Sequence, residues 1–166
     1  MTSWRVLVLG ILCIMFGLGC EKECTYKSLP NKKCQSNYNS VSGIYNSIGG
    51  GSFFGINQVF IINDDSTYKS NFSYANGTLA LGEIDFSTKS LIAVNLQTNM
   101  ASDFKSQGFL CKNDNSEKWI FHVDYSLKDQ CKGSRISRIY FTASFICDKI
   151  DSQALVQAKI TDVNPF

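Results

Sequence analysis

The strongest constraint on the fold is a strict alternation of side chains over residues 118–125. This period of two is that of a β-strand with one face in a core, because successive side chains of a strand point to opposite sides. The expected core face consists of Trp119, Phe121, Val123 and Tyr125. His122 and Asp124, on the opposite face, should then meet solvent or a partner sheet.

Other segments have the same strand character and are separated by turn-forming residues. Strands are predicted over 58–62, 91–96, 104–111, 139–147 and 154–162. The polar cluster 112–116 predicts a hairpin turn, and residues 63–66 predict the N-cap of a short helix from Thr67 to about Tyr74. We therefore predict a mainly β (α+β) fold, a single compact antiparallel sheet or sandwich with one short helix.

The chain divides into three parts. Residues 1–19 predict a signal peptide, 20–51 a tether and entry segment rich in Lys, Ser, Asn and Gly, and 52–166 the β-rich domain. Gly49-Gly50-Gly51 predicts a hinge rather than a phosphate-binding loop, because no Lys-Ser or Lys-Thr follows it.

The N-terminus predicts export. Arg5 precedes an apolar run over 6–18 that is too short to span a bilayer. Cys20 after Gly19 is similar to the bacterial lipobox, in which that cysteine is diacylated (with palmitate-type chains) and becomes the mature N-terminus. Gly17 stands where the lipobox usually has Leu, so cleavage by ordinary signal peptidase is the alternative. The predicted location is the cell envelope, lipid-anchored to the bacterial outer membrane, with secretion as the alternative.

Charge and composition exclude several functions. The formal net charge is +2 and only 18% of residues are charged, without a concentrated basic block, so a nucleic-acid partner is not expected. A single histidine excludes a His-rich metal site, and no Cys-x-x-Cys pair supports zinc. We expect no cofactor and no metal.

Five cysteines beyond Cys20 could form disulfides after export. Their pairing is open from spacing alone. We favour two local closures, Cys24 with Cys34 and Cys111 with Cys131, which leave Cys147 as a buried thiol.

The order of the segments resembles small lipoproteins of the Bacteroidetes and the C-terminal domain of a small lipoprotein subunit that stabilises a spirochaete protease complex. The matching pieces are 59–72, the 84–94 block with Asp85-Phe86-Ser87, the 104–123 hairpin and Cys131. This resemblance implies a non-catalytic accessory or binding module.

Candidate catalytic groups are few. His122 and Asp124 could form a hydrolase triad with Ser126 or Ser144, but no Gly-x-Ser-x-Gly elbow is present. Asp64, Asp65, Glu83 and Asp85 could suggest a carboxylate pair, although helix capping explains the first two. Asn113-Asp114-Asn115 lacks the glycine and distal glutamate of a calcium loop.

Aromatic residues around the predicted helix could form a binding surface, although packing on the sheet is the more common use of such residues. The candidates are Phe53, Phe54, Tyr68 and Tyr74. Asn71 and Asn76 begin glycosylation acceptor patterns, which matter only in a eukaryotic source.

Three hypotheses follow from these features. The first is a membrane-anchored lipoprotein with a non-catalytic accessory or protein-binding domain, the second a secreted hydrolase, and the third a soluble, disulfide-stapled secreted binding domain. Acylation of Cys20 distinguishes the first from the others.

Overall fold

A computed structural model describes residues 28–49, 55–74, 76–98, 104–127 and 139–163. These residues form eight strands and one helix. In chain order they are β1 (Tyr38–Val41), β2 (Gly43–Gly49), β3 (Val59–Ile62), α1 (Asp65–Phe72), β4 (Lys89–Thr98), β5 (Phe104–Asn113), β6 (Lys118–Leu127), β7 (Ile139–Asp148) and β8 (Leu155–Asp162).

The strands form two four-stranded sheets. The first sheet has the order β1-β5-β6-β8, and the second has the order β2-β7-β4-β3. Neighbouring strands are antiparallel, except that β8 runs parallel to β6. The predicted mainly β class and the single short helix are confirmed.

The core between the sheets is apolar and rich in aromatic residues. On β6, Phe121 and Val123 are fully buried, and the Phe121 ring lies 6.1 Å from that of Phe145 on β7. Tyr125 on β6 meets Phe141 on β7 edge to face, with the ring centroids 5.8 Å apart. The predicted core face of β6 is therefore confirmed, and it packs the first sheet onto the second.

The outer face of the second sheet is covered by α1. Asp64 caps this helix, its side chain accepting a hydrogen bond from the Thr67 backbone amide over 2.7 Å. Tyr68 and Phe72 are fully buried in a cluster with Leu91 and Ala93 of β4. The helix was predicted in the right place, and it begins at Asp65 because Asp64 is its cap.

β4 is buried on both faces, which agrees with the apolar composition of residues 91–96. Every side chain from Leu91 to Leu96 is buried. One face of β4 meets the first sheet, and the other lies under α1 and its flanking loops.

Among the described residues, no helix is long and apolar enough to cross a membrane.

The structure of residues 38–49 differs from the prediction that they belong to a tether and entry segment. They form β1 and β2, two consecutive strands that belong to different sheets and are separated only by Ser42. Their Asn, Ser and Gly content resembles that of a linker, yet Tyr45 and Ile48 pack on opposite faces of β2. The β domain therefore begins before residue 52. Gly50, Gly51 and Ser52 lie outside the described residues.

Candidate functional site

The outer face of the first sheet is covered by residues 28–34, which we call the strap. The Gln107 side-chain amide on β5 donates a hydrogen bond to the Pro30 carbonyl over 2.5 Å. The Lys32 ammonium donates to Asp124 Oδ1 on β6 over 2.8 Å and to Thr161 Oγ1 on β8 over 3.0 Å. The strap thus contacts three neighbouring strands of the sheet through polar side chains.

A disulfide fixes the end of the strap. Cys34 is bonded to Cys111 of β5, with their Cα atoms 5.8 Å apart. The two predicted local pairings, Cys24 with Cys34 and Cys111 with Cys131, are therefore wrong. β1 pairs antiparallel with β5 and aligns Ser40 with Cys111, so the chain just before β1 lies beside β5. Cys24 and Cys131 lie outside the described residues.

The structure places Cys147 as predicted, as a free and buried cysteine. Burial raises the pKa of its thiol to about 11, and the neighbouring Asp148 acts in the same direction. A thiol with such a pKa is almost wholly protonated near neutral pH and is a poor nucleophile.

The predicted exposure of His122 is wrong. Its side chain is 7% exposed, and its ring stacks on Phe109 of β5 with the centroids 4.5 Å apart. Asp124, two residues along the same face, is 1% exposed. The alternation of β6 was correctly predicted, but the strap and Phe109 cover the face that was expected to meet solvent or a partner sheet.

The environment of His122 favours its neutral form. Burial lowers the pKa of the imidazole, and the positive charge of Lys159 on β8 lowers it further. Asp124 acts in the opposite direction, and Lys32 of the strap adds to the lowering. The imidazole is therefore a neutral packing residue near pH 7, stacked on the Phe109 ring.

Asp124 keeps one oxygen without a partner. Its Oδ1 accepts from Lys32, whereas the buried Oδ2 has no hydrogen-bond partner among the described residues. A buried carboxylate is costly unless it is paired. The strap lysine thus compensates a charge that the sheet alone leaves uncompensated.

A groove of about 430 Å³ opens between the strap and the sheet. Its walls are residues 31–34 on one side and Ser40 with residues 107–109 on the other. It combines the partly buried Phe109 ring with polar side chains and the exposed Lys33. Its size is within the range of small-molecule sites.

The hypothetical triad does not assemble from the described residues. His122 and Ser126 lie four residues apart on one strand, a spacing of about 13 Å along the chain. Ser144 is on the second sheet, where its hydroxyl donates to the Asn46 carbonyl. His122 has no nucleophile from this set beside it.

The carboxylates that suggested a glycosidase pair have local structural roles. Asp64 caps α1, and Asp65 pairs with Lys69 one turn further along the helix. Asp85 accepts hydrogen bonds from the Ser87 amide and hydroxyl and from the Thr88 hydroxyl. These hydrogen bonds lower the pKa of the Asp85 carboxyl, which is therefore ionised near neutral pH.

The Asn113-Asp114-Asn115 segment forms the turn between β5 and β6. Asn113 Oδ1 accepts from the Asn115 amide and the Ser116 hydroxyl. Asp114 accepts from the Asn39 side chain over 2.6 Å. Within the described ranges, no three His, Cys, Asp or Glu side chains form a group that could hold a metal ion.

The predicted aromatic binding surface is only partly present. Tyr68 is wholly buried: its hydroxyl donates to the Gly82 carbonyl over 2.8 Å and accepts from the Leu81 amide. It is a core residue and not part of a surface. Tyr74 is 48% exposed and stays a candidate contact. Phe53, Phe54 and the lipidation candidate Cys20 lie outside the described residues.

Sequence reasoning missed the strap and the groove beneath it. A signal was present, because Ile120, Phe109 and Cys111 are apolar residues at outward positions of β5 and β6. Apolar side chains on both faces of a strand indicate that both faces are covered.

No protein family, curated protein or solved structure matches this chain.

Proposed function

We propose that this chain is an exported lipoprotein, anchored through acylated Cys20, whose β-sandwich is a non-catalytic accessory or protein-binding domain. The observation that carries the proposal is the disulfide between Cys34 and Cys111. Disulfides persist in oxidising compartments and are rare in reducing ones. This bond supports the export that residues 1–20 predict.

The binding role is supported by the arrangement on the outer face of the first sheet. A half-open groove with an aromatic wall lies beside the strap, and Lys33 is exposed at its edge. His122 and Asp124, the residues most suggestive of catalysis, are held by a ring stack and an ion pair. This arrangement favours recognition over bond cleavage.

Substitution of Cys20 tests the anchor. In a Gram-negative host, the wild-type protein should sediment with membranes and require detergent for release. Cys20→Ser should move it to the soluble exported fraction or leave it unprocessed, because the acceptor thiol is lost. Cys13→Ser is the matched control: it also removes one cysteine, but within the predicted signal peptide, and it should leave the protein in the membrane fraction. Equal membrane recovery of both variants, with the Cys20→Ser protein cleaved to the same mature length as wild type, would contradict the lipoprotein proposal.

The accessory role is tested separately by crosslinking in intact cells. Tyr74→Ala and a change at the groove, Phe109→Ala, probe the two exposed regions. We expect the wild-type protein to form a discrete crosslinked adduct with one protein. One of the two substitutions should reduce the yield of this adduct in a variant that still folds. Wild-type adducts that vary at random between cultures would contradict it.

A further inference from the structure

We infer that the groove beneath the strap binds a short acidic peptide segment of the partner protein, in which a carboxylate side chain stands next to an aromatic or aliphatic one. This inference rests on the proposed accessory function and deepens it, because it names the chemistry that the partner presents. It follows from three features of the groove: a wall that is already ordered, an oriented aromatic ring and one ammonium group that is not paired within the domain.

The wall formed by the strap is held in place before any ligand binds. At one end of this wall, Cys34 is bonded to Cys111 of β5. At the other end, the Pro30 carbonyl accepts a hydrogen bond from the Gln107 side chain. Between these two points, Lys32 donates to side chains of β6 and β8. A groove with ordered walls loses little conformational entropy when a ligand fills it.

The Phe109 ring gives the groove an oriented apolar surface. One face of this ring stacks on the His122 imidazole, with the centroids 4.5 Å apart and the planes 8° from parallel. Phe109 is only partly buried and lines the groove, so the ring is also accessible from the groove side. An aromatic ring that is fixed by packing and still accessible is a suitable contact for an aromatic or aliphatic side chain of a partner.

The groove also presents one unpaired positive charge. The described residues that line it include Lys32 and Lys33 and no acidic residue. Lys32 is paired with Asp124, whereas Lys33 is exposed and has no ion pair or hydrogen bond with any described residue. The complement of this wall is therefore a single carboxylate beside an apolar group.

The shape of the groove favours a peptide segment over a free small molecule. Its volume is about 430 Å³, and it is half-open to solvent. Sites for small molecules enclose about 70–90% of the ligand surface. A half-open groove instead leaves room for a longer chain to enter and leave. The side chains of Asn31 and Ser40 on its walls are exposed hydrogen-bonding groups for a peptide backbone.

Selection from a library of random short peptides displayed on phage tests this inference. The target is the purified wild-type protein with its disulfides oxidised. We expect enrichment of peptides in which Asp or Glu stands beside an aromatic or aliphatic residue, and we expect their binding to weaken in high salt. Enrichment of peptides that lack an acidic residue, or no enrichment at all, would overturn the inference.

Titration of the enriched peptide against charge variants then tests the contact itself. Lys33→Gln should weaken binding by about fivefold, the upper end of the contribution of an exposed ion pair. Lys33→Glu should reverse the preference, so that this variant binds the peptide more tightly once the acidic residue of the peptide is replaced by lysine.

Lys118→Gln is the matched control for these charge variants. Lys118 is another exposed lysine of the first sheet, and it is not among the residues that line the groove. This variant should bind the peptide within about twofold of wild type, since the effect of a distant charge is screened by salt. Equal losses in Lys33→Gln and Lys118→Gln, or an unchanged preference in Lys33→Glu, would overturn the inference.

Crosslinking in cells separates failure of this inference from failure of the proposed function. We expect the partner adduct to be lost in Lys33→Glu and retained in Lys118→Gln. An adduct that persists in Lys33→Glu and weakens only in Tyr74→Ala would contradict the groove as the binding site and leave the accessory role in place.

Discussion

The Lys32 ammonium donates to Asp124 Oδ1 over 2.8 Å and joins residues 92 positions apart in the chain. The Asp124 side chain is 1% exposed and that of Lys32 is 36% exposed. The ion pair therefore couples the N-terminal strap to β6, a central strand of the first sheet. It also provides the charge partner that a buried carboxylate needs.

Loss of this lysine should destabilise the fold. Lys32→Met leaves Asp124 as a buried charge without its cation, and we expect a decrease of about 2 kcal/mol in the free energy of unfolding. This value is below that for a fully buried pair because Lys32 is partly solvated. Denaturant titration of the oxidised protein measures this decrease in the free energy of unfolding.

Lys69→Met is the control, because it breaks only an exposed ion pair with Asp65, and it should cost less than about 0.5 kcal/mol. Equal decreases in the free energy of unfolding of the two variants would contradict the claim that the Lys32–Asp124 ion pair stabilises the fold more than an exposed ion pair does.

The Cys34–Cys111 bond should contribute more stability than either predicted local bridge. It joins cysteines separated by 77 positions. In the chain-entropy account, a loop of that size stabilises the folded state by about 4.5 kcal/mol. Cys34→Ser/Cys111→Ser should therefore unfold at much lower denaturant concentration than the oxidised wild type. Unreduced peptide mapping checks the pairing itself, and a peptide that links Cys111 with Cys131 would contradict the structure.

His122 should make stability depend on pH. Burial, Lys159 and Lys32 hold the pKa of its imidazole below the ordinary value of 6.5, against the opposing effect of Asp124. The unfolded chain then binds more protons in the window just below pH 6.5, so the stability of the folded state decreases as the pH falls through that window. Above about pH 7.5 the imidazole is almost wholly neutral in both states and adds little pH dependence.

His122→Gln removes this titration. The difference in unfolding free energy between wild type and variant should therefore change between about pH 7 and pH 5, with the wild type losing more stability on acidification. Denaturant titrations at matched ionic strength provide the measurement. Parallel pH profiles would show that His122 is not desolvated.

Adding a side chain at Gly108 should destabilise the fold. A Cβ built there lies 2.5 Å from the Tyr45 ring and 2.9 Å from the His122 backbone oxygen. Gly108→Ala should cost about 1–3 kcal/mol, because the inter-sheet contact must shift. Gly49 is the matched control, since a Cβ at this β-strand glycine meets nothing within 4 Å. Thermal unfolding that shifts equally for the two alanine variants would contradict this packing.

Strands with clear periodicity were predictable because their patterns report burial directly. β6 alternates, and β4 is apolar over most of its length, so both were predicted from sequence in their places. Asp64 also identified α1, because an acidic cap has a local physical cause. β1 and β2 were missed, since Asn, Ser and Gly have little strand propensity and only pairing with β5 and β7 makes these segments regular.

The candidate site depends on contacts that sequence spacing does not encode. Cys34 pairs with Cys111 because β1 lies beside β5, a relationship between distant segments. The strap likewise buries His122 and Asp124 from outside the sheet, so the period of β6 alone predicted the wrong environment for them. Ile120 and Phe109 are apolar residues at outward positions, and they were the sequence feature that indicated that this face is covered.

The intact mass of the mature protein, extracted from membranes with detergent and left unreduced, tests the central claim most directly. The account predicts a chain that begins at Cys20 and carries two or three fatty acyl chains, with a mass deficit of at least the two hydrogens of the Cys34–Cys111 bond. Reduction should restore those hydrogens without removing the acyl chains. An unacylated chain, or one that retains residues before Cys20, would contradict the proposed lipoprotein.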